Sequence, residues 1–231
     1  MAMECGIATT GRKPEVAERL ATHIQSMSPI PASVISLDLG YRNLAFCHMD
    51  RQNCIHDWGR VDLELPDFHP SVMAPIVRAF VRQRLVPLLS YPVEAIVIER
   101  QRMRSGSSHA VLEHIIRVNY VEALLWCELT ALKEKGDEYD FLNLVTMSRV
   151  AVERQWKDAM GPTKTYHERK KAGAAMVQRW LEQQTVVHCH EAVKTLFLKE
   201  KKKDDMADAL MQALTWYECS RRTLHYKALY E

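Results

Sequence analysis

The chain has 231 residues and a formal net charge of +2. This length suits one α/β domain with a small additional segment, and the net charge alone indicates no nucleic-acid partner. The composition, 47% hydrophobic and 26% charged, is typical of a soluble globular protein. No apolar run is long enough to cross a bilayer, so no membrane partner is expected.

The first 32 residues predict a short helical segment followed by a linker. Pro14 suits a first helical turn, and an apolar stripe with helical spacing follows it. Residues 26–32 contain two prolines and are predicted to be the linker. We therefore divide the chain into a segment over residues 1–25, this linker, and a main domain over residues 33–231.

The main domain alternates between strand and helix patterns. Strands are predicted over residues 34–39, 44–49, 55–63, 95–98 and 142–147. Helices are predicted over residues 70–90, 108–135, 166–184, 190–197 and 204–221. Short connections favour an antiparallel meander for the first three strands, and helical crossovers follow. The order predicts an α/β fold, a mixed five-stranded sheet with helices on both faces.

Acidic residues stand where apolar segments are expected to be buried. Asp38 lies within the first predicted strand, and Glu99 ends the fourth. An ionised carboxylate in such a place is unfavourable unless a cation or hydrogen-bond donors compensate for its burial. A third group, Asp204, Asp205 and Asp208, begins the last predicted helix, where residues three or four apart share a face.

Each of these acids also has a purely structural interpretation. Asp38 could simply form a turn, and Glu99 could pair with a neighbouring arginine at the surface. Asp204 or Asp205 could cap the last helix. Three separate segments that each bury an acid favour one shared site instead. Carboxylate oxygens select hard cations, Mg²⁺ or Mn²⁺, and two ions about 3.5–4 Å apart can clamp a phosphodiester for in-line displacement.

Six cysteines are scattered without a CxxC pair. Cys47 and Cys54 could face each other across a hairpin, and the run His188-Cys189-His190 invites a zinc interpretation. Neither spacing matches a structural zinc site. We expect free, partly buried thiols in a reducing compartment.

Basic residues bunch in three places, and such clusters matter more for phosphate binding than net charge does. The predicted phosphate-binding residues are Arg100, Arg102, Arg104, Lys164, Lys170, Lys171, Lys201, Lys202 and Lys203. Contacts of this kind fix the register on DNA without reading bases. The alternative is that the lysine run is an ordinary solvated end of a helix.

Three segments resemble the RuvC-type Holliday junction resolvases, and among them the fungal mitochondrial cruciform-cutting endonucleases. They are Ile35-Ser36-Leu37-Asp38-Leu39-Gly40-Tyr41-Arg42-Asn43, Ile96-Val97-Ile98-Glu99-Arg100-Gln101 and Asp204-Asp205-Met206-Ala207-Asp208-Ala209-Leu210. The resemblance implies a ribonuclease H-like fold, a homodimer, a mitochondrial location and Mg²⁺-dependent symmetric nicking of four-way DNA junctions.

The resemblance also implies roles for the acids. By position, Asp38 resembles the metal-bridging acid of the first strand, and Glu99 resembles the second acid. Asp208 and one partner resemble the acidic pair of the last helix. Both Asp204 and Asp205 remain open as that partner, because bacterial relatives use a three-residue spacing and fungal ones carry the double aspartate.

Two parts of the family pattern are incomplete in this chain. Bacterial relatives place an aromatic wedge shortly after the second acid, where this chain has Arg102 and Met103. Residues 5–24 resemble the second half of a SAP motif, a DNA-binding helix–turn–helix whose first helix is missing. The start, Met1-Ala2-Met3-Glu4, shows no presequence pattern, so either the protein needs none or the chain has been shortened. We favour shortening, because the first helix of the SAP motif is missing.

The resulting hypothesis is a two-metal endonuclease. Two Mg²⁺ ions, held by the acids named above, would activate water and stabilise the leaving 3′ oxygen, giving a 5′-phosphate. The predicted helix over residues 108–135 is the candidate dimer interface. Three rivals remain: a ribonuclease H that cuts RNA–DNA hybrids, a DNA-binding protein without catalysis, and an actin-like sugar kinase. Eight glycines are too few for the phosphate loops of the kinase.

Overall fold

The structure is a computed structural model that describes residues 1–27, 29–90, 93–101, 113–135 and 138–230. Within these residues the strands are β1 (Ser33–Asp38), β2 (Leu44–Asp50), β3 (Cys54–Val61), β4 (Val93–Glu99), β5 (Asn143–Met147) and β6 (His188–Cys189). The α-helices are α1 (Lys13–Ser26), α2 (Pro70–Phe80), α3 (Glu113–Glu134), α4 (Arg149–Met160), α5 (Tyr166–Gln183), α6 (Glu191–Lys199) and α7 (Lys203–Tyr230).

The strands form one mixed sheet in the order β5-β4-β1-β2-β3-β6. β1, β2 and β3 are antiparallel neighbours, whereas β4 lies parallel to β1, and β5 lies parallel to β4. The sequence predicts five strands, and the structure adds a sixth, β6, which pairs in parallel with β3 through only two residues. A run this short cannot display the alternation by which a strand is recognised in a sequence.

Helices cover both faces of the sheet, as predicted. Val34 and Ile35 are adjacent in β1, but they belong to two different buried cores, because successive side chains of a strand point to opposite faces. Ile35 and Leu37 pack in the core formed with α2 and α3. Val34 packs with Trp58 in the core formed with α5, α6 and α7.

Two helices differ from their predicted bounds. The helix predicted over residues 70–90 is α-helical only to Phe80, and a π-helical turn (Val81–Leu85) and a 3₁₀ turn (Val86–Ser90) complete it. Pro87 has no amide hydrogen, so it cannot donate the backbone hydrogen bond that would continue the α-helix. Of the helix predicted over residues 108–135, residues 108–112 lie outside the described part of the chain.

Helix α4 was not among the predicted helices, although Val152, Trp156 and Met160 recur at a four-residue spacing that a helix places on one face. Its side chains pack against the core on the α7 side of the sheet. Among the described residues, no helix combines the length and the apolarity that a membrane span requires.

The N-terminal segment packs against the last turns of α7, which continue beyond the predicted end of that helix. Lys227 Nζ lies 3.4 Å from the carbonyl oxygen of Gln25 and 3.2 Å from that of Met27. Tyr226 donates a hydrogen bond from its hydroxyl group to Glu4. The segment is therefore held on the main domain, and its DNA-binding role stays a prediction.

Candidate active site

The parallel pairing of β1 and β4 places two acids at one edge of the sheet. Leu37 is opposite Ile98 in the register, so the next residue of each strand, Asp38 and Glu99, lie side by side where the strands end. The two carboxyl groups are close enough to share a hydrogen bond. Gln101 Nε2 donates to Glu99 Oε2 over 2.8 Å, and this bond orients the Glu99 side chain.

Helix α7 carries the third acid, Asp208, and a buried glutamine sets its position. Gln212, one turn later, has its Nε2 atom 2.9 Å from Ser36 Oγ. The same atom lies 3.0 Å from the carbonyl oxygen of Leu37 and 3.1 Å from that of Val97. One side chain thus ties α7 to β1 and β4 just before the two strand acids, and it fixes Asp208 relative to them.

The three acids meet in one cavity between the sheet edge, α4, α5 and α7. Its lining consists of Asp38, Glu99, Arg149, Val152, Glu153, Trp156, Met160, Arg169, Lys170, Asp208, Met211 and Gln212. The convergence expected from the sequence is therefore present, whereas the role of these acids as metal ligands stays a prediction.

Burial and mutual repulsion act together on these acids. Burial raises the pKa of Asp38 well above its usual value, and the charges of Glu99 and Asp208 raise it further. Burial also raises the pKa of Asp208 to about 6, although the cations Lys170 and Arg149 oppose the rise. Carboxylates this close cannot all stay ionised without a compensating cation. The site therefore attracts positive charge.

Lys170 of α5 supplies part of that charge. Its Nζ atom lies 3.0 Å from Asp204 Oδ2, 2.9 Å from Asp205 Oδ1 and 3.4 Å from Asp208 Oδ2. Burial acts to lower the pKa of Lys170, but the charges of Asp208 and Asp205 outweigh it and raise the pKa. The sequence predicts a phosphate-binding role for Lys170, whereas the structure places its ammonium group among three carboxylates.

The donor atoms of this cluster suit a hard divalent cation, because they are carboxylate oxygens. Asp205 Oδ2 is buried and has no hydrogen-bond partner among the described residues. A buried acceptor without a partner is unfavourable, and a cation would satisfy it. The Asp205 side chain is 12% exposed and that of Asp204 27%, so Asp205 fits the role of a ligand better. Neither of the two lines the cavity itself.

The comparisons with known proteins identify the family. A family model described as mitochondrial resolvase Ydc2 / RNA splicing MRS1 matches residues 34–200. The chain belongs to this family. "Cruciform cutting endonuclease 1, mitochondrial" of Schizosaccharomyces pombe is 29% identical over 248 residues, which cover 96% of this chain and 90% of that relative.

Solved structures of resolvases share the fold. The crystal structure of the yeast mitochondrial Holliday junction resolvase Ydc2 matches with a TM-score of 0.72 and 25% identity, over 99% of this chain and 94% of that one. RuvC of T. thermophilus, in complex with a Holliday junction substrate, matches with a TM-score of 0.50 and 16% identity, over 83% of this chain and 96% of that one. The second likeness shows the fold alone. The predicted resolvase family, ribonuclease H-like fold and mitochondrial location are confirmed.

The predicted phosphate-binding residues fall into three groups. Those with exposed side chains are Arg100, Lys164, Lys171, Lys201 and Lys202. Lys170 and Lys203 are partly buried, at the acid cluster and at the start of α7. Arg102 and Arg104, like Met103 at the wedge position, lie outside the described residues. The DNA-binding role of all nine residues therefore stays a prediction.

Two arginines that line the cavity were not predicted. Arg149 Nε lies 3.0 Å from Glu153 Oε1, and Arg169 Nη1 lies 3.2 Å from Glu153 Oε2. Both guanidinium groups lie near the ring of Tyr166, 4.9 Å and 5.4 Å from its centre. Burial acts to lower the pKa of Arg149, but Tyr166 and the charge of Glu99 outweigh it and raise the pKa. No local pattern in the sequence links these residues to the acids.

Proposed function

We propose that this chain is a structure-selective endonuclease that resolves four-way DNA junctions by paired symmetric nicks. The observation that carries the proposal is the meeting of Asp38, Glu99 and Asp208 around one cavity. Asp38 and Glu99 lie on the sheet and Asp208 on α7, in a chain of the family described as mitochondrial resolvase Ydc2 / RNA splicing MRS1. The relatives named above are described as a Holliday junction resolvase and a cruciform cutting endonuclease, which supports the junction as the substrate.

We further propose that Asp38, Glu99, Asp205 and Asp208 hold two Mg²⁺ ions, with Mn²⁺ as a substitute. The unpartnered, buried Oδ2 atom of Asp205 favours this residue over Asp204. When bound, the ions would supply Lewis-acid stabilisation of phosphoryl oxygens and a water acidified enough to act as the nucleophile. The raised pKa values of Asp38 and Asp208 support a site that is completed by added positive charge.

Other residues of the cavity hold and orient the substrate in this proposal. Arg149 and Arg169 line the cavity and offer planar guanidinium groups, which bind phosphate oxygens in pairs. Trp156 forms an apolar part of the wall, and its Nε1 atom lies 2.9 Å from Thr215 Oγ1, which holds the indole in place. The phosphodiester is cut on the 3′ oxygen side, so the products carry a 5′-phosphate and a 3′-hydroxyl group.

The test is cleavage of a synthetic four-way junction, compared with a linear duplex and an RNA–DNA hybrid of the same sequence, with and without Mg²⁺. We expect cleavage of the junction only, and only with the metal. Asp38→Asn should bind the junction without cutting it, while the matched variant Asp158→Asn, at an exposed position of α4, should cut normally. Preferred cleavage of the hybrid would favour a ribonuclease H, and metal-independent binding without any cleavage would favour a non-catalytic DNA-binding protein.

The lysine run Lys201–Lys203 is proposed to bind backbone phosphates beside the acids, together with the other basic residues predicted from the sequence. Charge reversal of this run should weaken binding to every DNA sequence and flatten the salt dependence, by about 0.9 in the logarithmic slope for each lost phosphate contact. Binding measured across a series of salt concentrations checks this. An unchanged slope would mean that the run is an ordinary solvated surface. Residues 1–25 stay proposed as an additional DNA-binding segment.

The active form is proposed to be a homodimer, because a two-fold dimer presents two sites to the two-fold axis of a junction. Helix α3 carries the candidate interface. Ile116 and Tyr120 lie one turn apart and are 40% and 42% exposed, so they offer an adjacent apolar pair on the surface of a helix that also buries Val121 and Leu125. The mass of the chain in solution is the measurement that decides this point.

A further inference from the structure

A second group of metal-binding side chains lies at the opposite end of the sheet from the acids. In the register of β1 and β2, Asp38 is opposite Ala45, whereas Ser33 is opposite Asp50. Asp50 is therefore about 16 Å from the active-site edge along the strand direction, at about 3.3 Å per residue. The hairpin between β2 and β3 begins after Asp50.

Three side chains of this hairpin, Asp50, Cys54 and His56, converge. Each offers one ligand atom, and the three atoms lie within 4.8 Å of one another. The pairing shifts between His48 and Met49, so β3 contains one extra residue, His56, opposite this point. In a regular ladder His56 would be opposite Met49 and would point to the α7 side of the sheet. The bulge turns its ring towards Asp50 instead.

The Asp50 carboxylate is already held in position. Its Oδ1 atom accepts hydrogen bonds of 2.9 Å from the backbone N–H groups of Gln52 and Cys54. Its Oδ2 atom lies 2.9 Å from His56 Nε2. The side chains of Asp50 and His56 are 21% and 27% exposed, so an ion can reach them from solvent.

The ring of His48 lies beside this group and is itself held in place. Its ring centre is 5.1 Å from that of His56, and its Nε2 atom is 3.1 Å from Ser33 Oγ.

We propose that Asp50, Cys54 and His56 form a Zn²⁺ site that is separate from the carboxylate site. Thiolate and imidazole are ligands that zinc prefers and that Mg²⁺ does not. A turn-capping role explains the hydrogen bonds of Asp50, but it requires neither a thiol nor an imidazole beside the carboxylate. Three protein ligands leave a fourth tetrahedral position for water.

Charge and protons balance in this site. The Cys54 thiol releases its proton to solvent on binding, and the ionised Asp50 and the Cys54 thiolate together neutralise the two charges of the ion. His56 gives up the hydrogen bond to Asp50, keeps its proton on the other ring nitrogen and stays neutral. The ion then joins the end of β2 to the start of β3, at the edge where β6 pairs with β3.

Cobalt(II) is the probe for this site, because a thiolate ligand gives Co²⁺ a sulfur-to-metal charge-transfer band that carboxylate ligands cannot produce. The full chain is freed of metal with a chelator and titrated with Co²⁺ in excess Mg²⁺, which occupies the acids. We expect one equivalent of Co²⁺ with this band, displaced by Zn²⁺. Cys54→Ser should abolish the band. His56→Ala should weaken Zn²⁺ binding by about tenfold or more, because even residues that only support a metal ligand typically contribute about 10–100-fold to affinity.

Matched controls separate this site from the other thiols and from the acids. Cys127→Ser on α3, Cys189→Ser on β6 and Asp38→Asn should all keep the band. Circular dichroism and Mg²⁺-dependent junction cleavage report whether the hairpin variants are folded. The proposal is overturned if the wild-type chain shows no thiolate band, if the band persists in Cys54→Ser, or if folded His56→Ala binds Zn²⁺ as tightly as the wild type.

Discussion

The two ends of the central sheet hold their acids in opposite circumstances. At one end Asp38 and Asp208 lie close together, and burial and repulsion raise their pKa values. At the other end Asp50 accepts two backbone hydrogen bonds and lies beside His56. The first set of donors is made of oxygens, and the second combines oxygen, nitrogen and sulfur. In the two sites that we propose, the donor atoms, more than the number of acids, would decide which cation each end selects.

The largest expected effect is the loss of junction cleavage when an acid of the cavity is removed. Glu99→Gln keeps the shape of the side chain but removes a carboxylate from the cavity, and it should lower the rate of junction cleavage on the order of 1,000-fold, about 4 kcal/mol in the barrier. The same variant should keep the Co²⁺ thiolate band of the hairpin. Asp50→Asn should weaken Co²⁺ binding at the hairpin and leave the rate of junction cleavage within about twofold of the wild type. Equal loss of cleavage in both variants would show that the two ends do not act independently.

A smaller effect is expected where Lys170 neutralises the acids. Lys170→Met leaves three carboxylates of α7 without their shared counter-charge, and it should lower the free energy of unfolding of the metal-free chain by about 3 kcal/mol. Mg²⁺ should restore much of this stability, because it replaces the missing charge. Urea denaturation with and without Mg²⁺ measures both effects.

Lys194→Met is the matched control for the Lys170 variant. Lys194 pairs over 3.6 Å with Glu191, whose side chain is 71% exposed, so its removal should change the stability by less than about 0.5 kcal/mol. The proposal that these carboxylates need a cation would be wrong if Lys170→Met lowered the free energy of unfolding as little as this control does. It would also be wrong if Mg²⁺ did not restore the stability of Lys170→Met.

The third effect is gradual and concerns pH. The pKa of Asp208 is raised from 3.8 to about 6, so between these values the folded chain holds a proton that the unfolded chain has lost. The metal-free chain should therefore lose stability as pH rises through this window, by up to about 1.4 kcal/mol per unit. Cleavage should change in the opposite direction and fall below pH 6, because protonated acids hold Mg²⁺ poorly.

Denaturation in a chelator on both sides of pH 6, with Asp208→Asn as the reference, isolates this contribution. The variant should lack the part of the pH dependence that Asp208 causes. An identical pH dependence in the variant and the wild type would mean that another group titrates there.

Much of the fold could be predicted from the sequence because its strong signals are local. The apolar runs that became β1, β2 and β4 are long enough to show the strand pattern, and Asp38 and Glu99 interrupt that pattern in an obvious way. β6 could not be found, because two residues carry no periodicity. Helix α4 had a usable signal in the spacing of Val152 and Trp156, and the sequence prediction did not use it.

The candidate site was predictable only as far as its acids. That Asp38 and Glu99 are neighbours depends on the register of β1 and β4, which neither strand specifies alone. The sequence predicts a phosphate-binding role for Lys170. Its contacts with the acids of α7 arise only when α5 packs against that helix, so no local pattern could show them. Arg149 enters the cavity in the same way. Tertiary packing determines which charged side chains come into contact, and no local sequence pattern shows these contacts.

The crowding of Asp38 and Asp208 has an evolutionary consequence. Because these groups repel one another in the folded chain, a neutral residue at either position should stabilise the fold while ending the cleavage that we propose. A lineage released from selection for cutting would drift quickly towards an inert, durable scaffold. Such descendants would keep the architecture and become available for other tasks, and each return to an acid would cost stability.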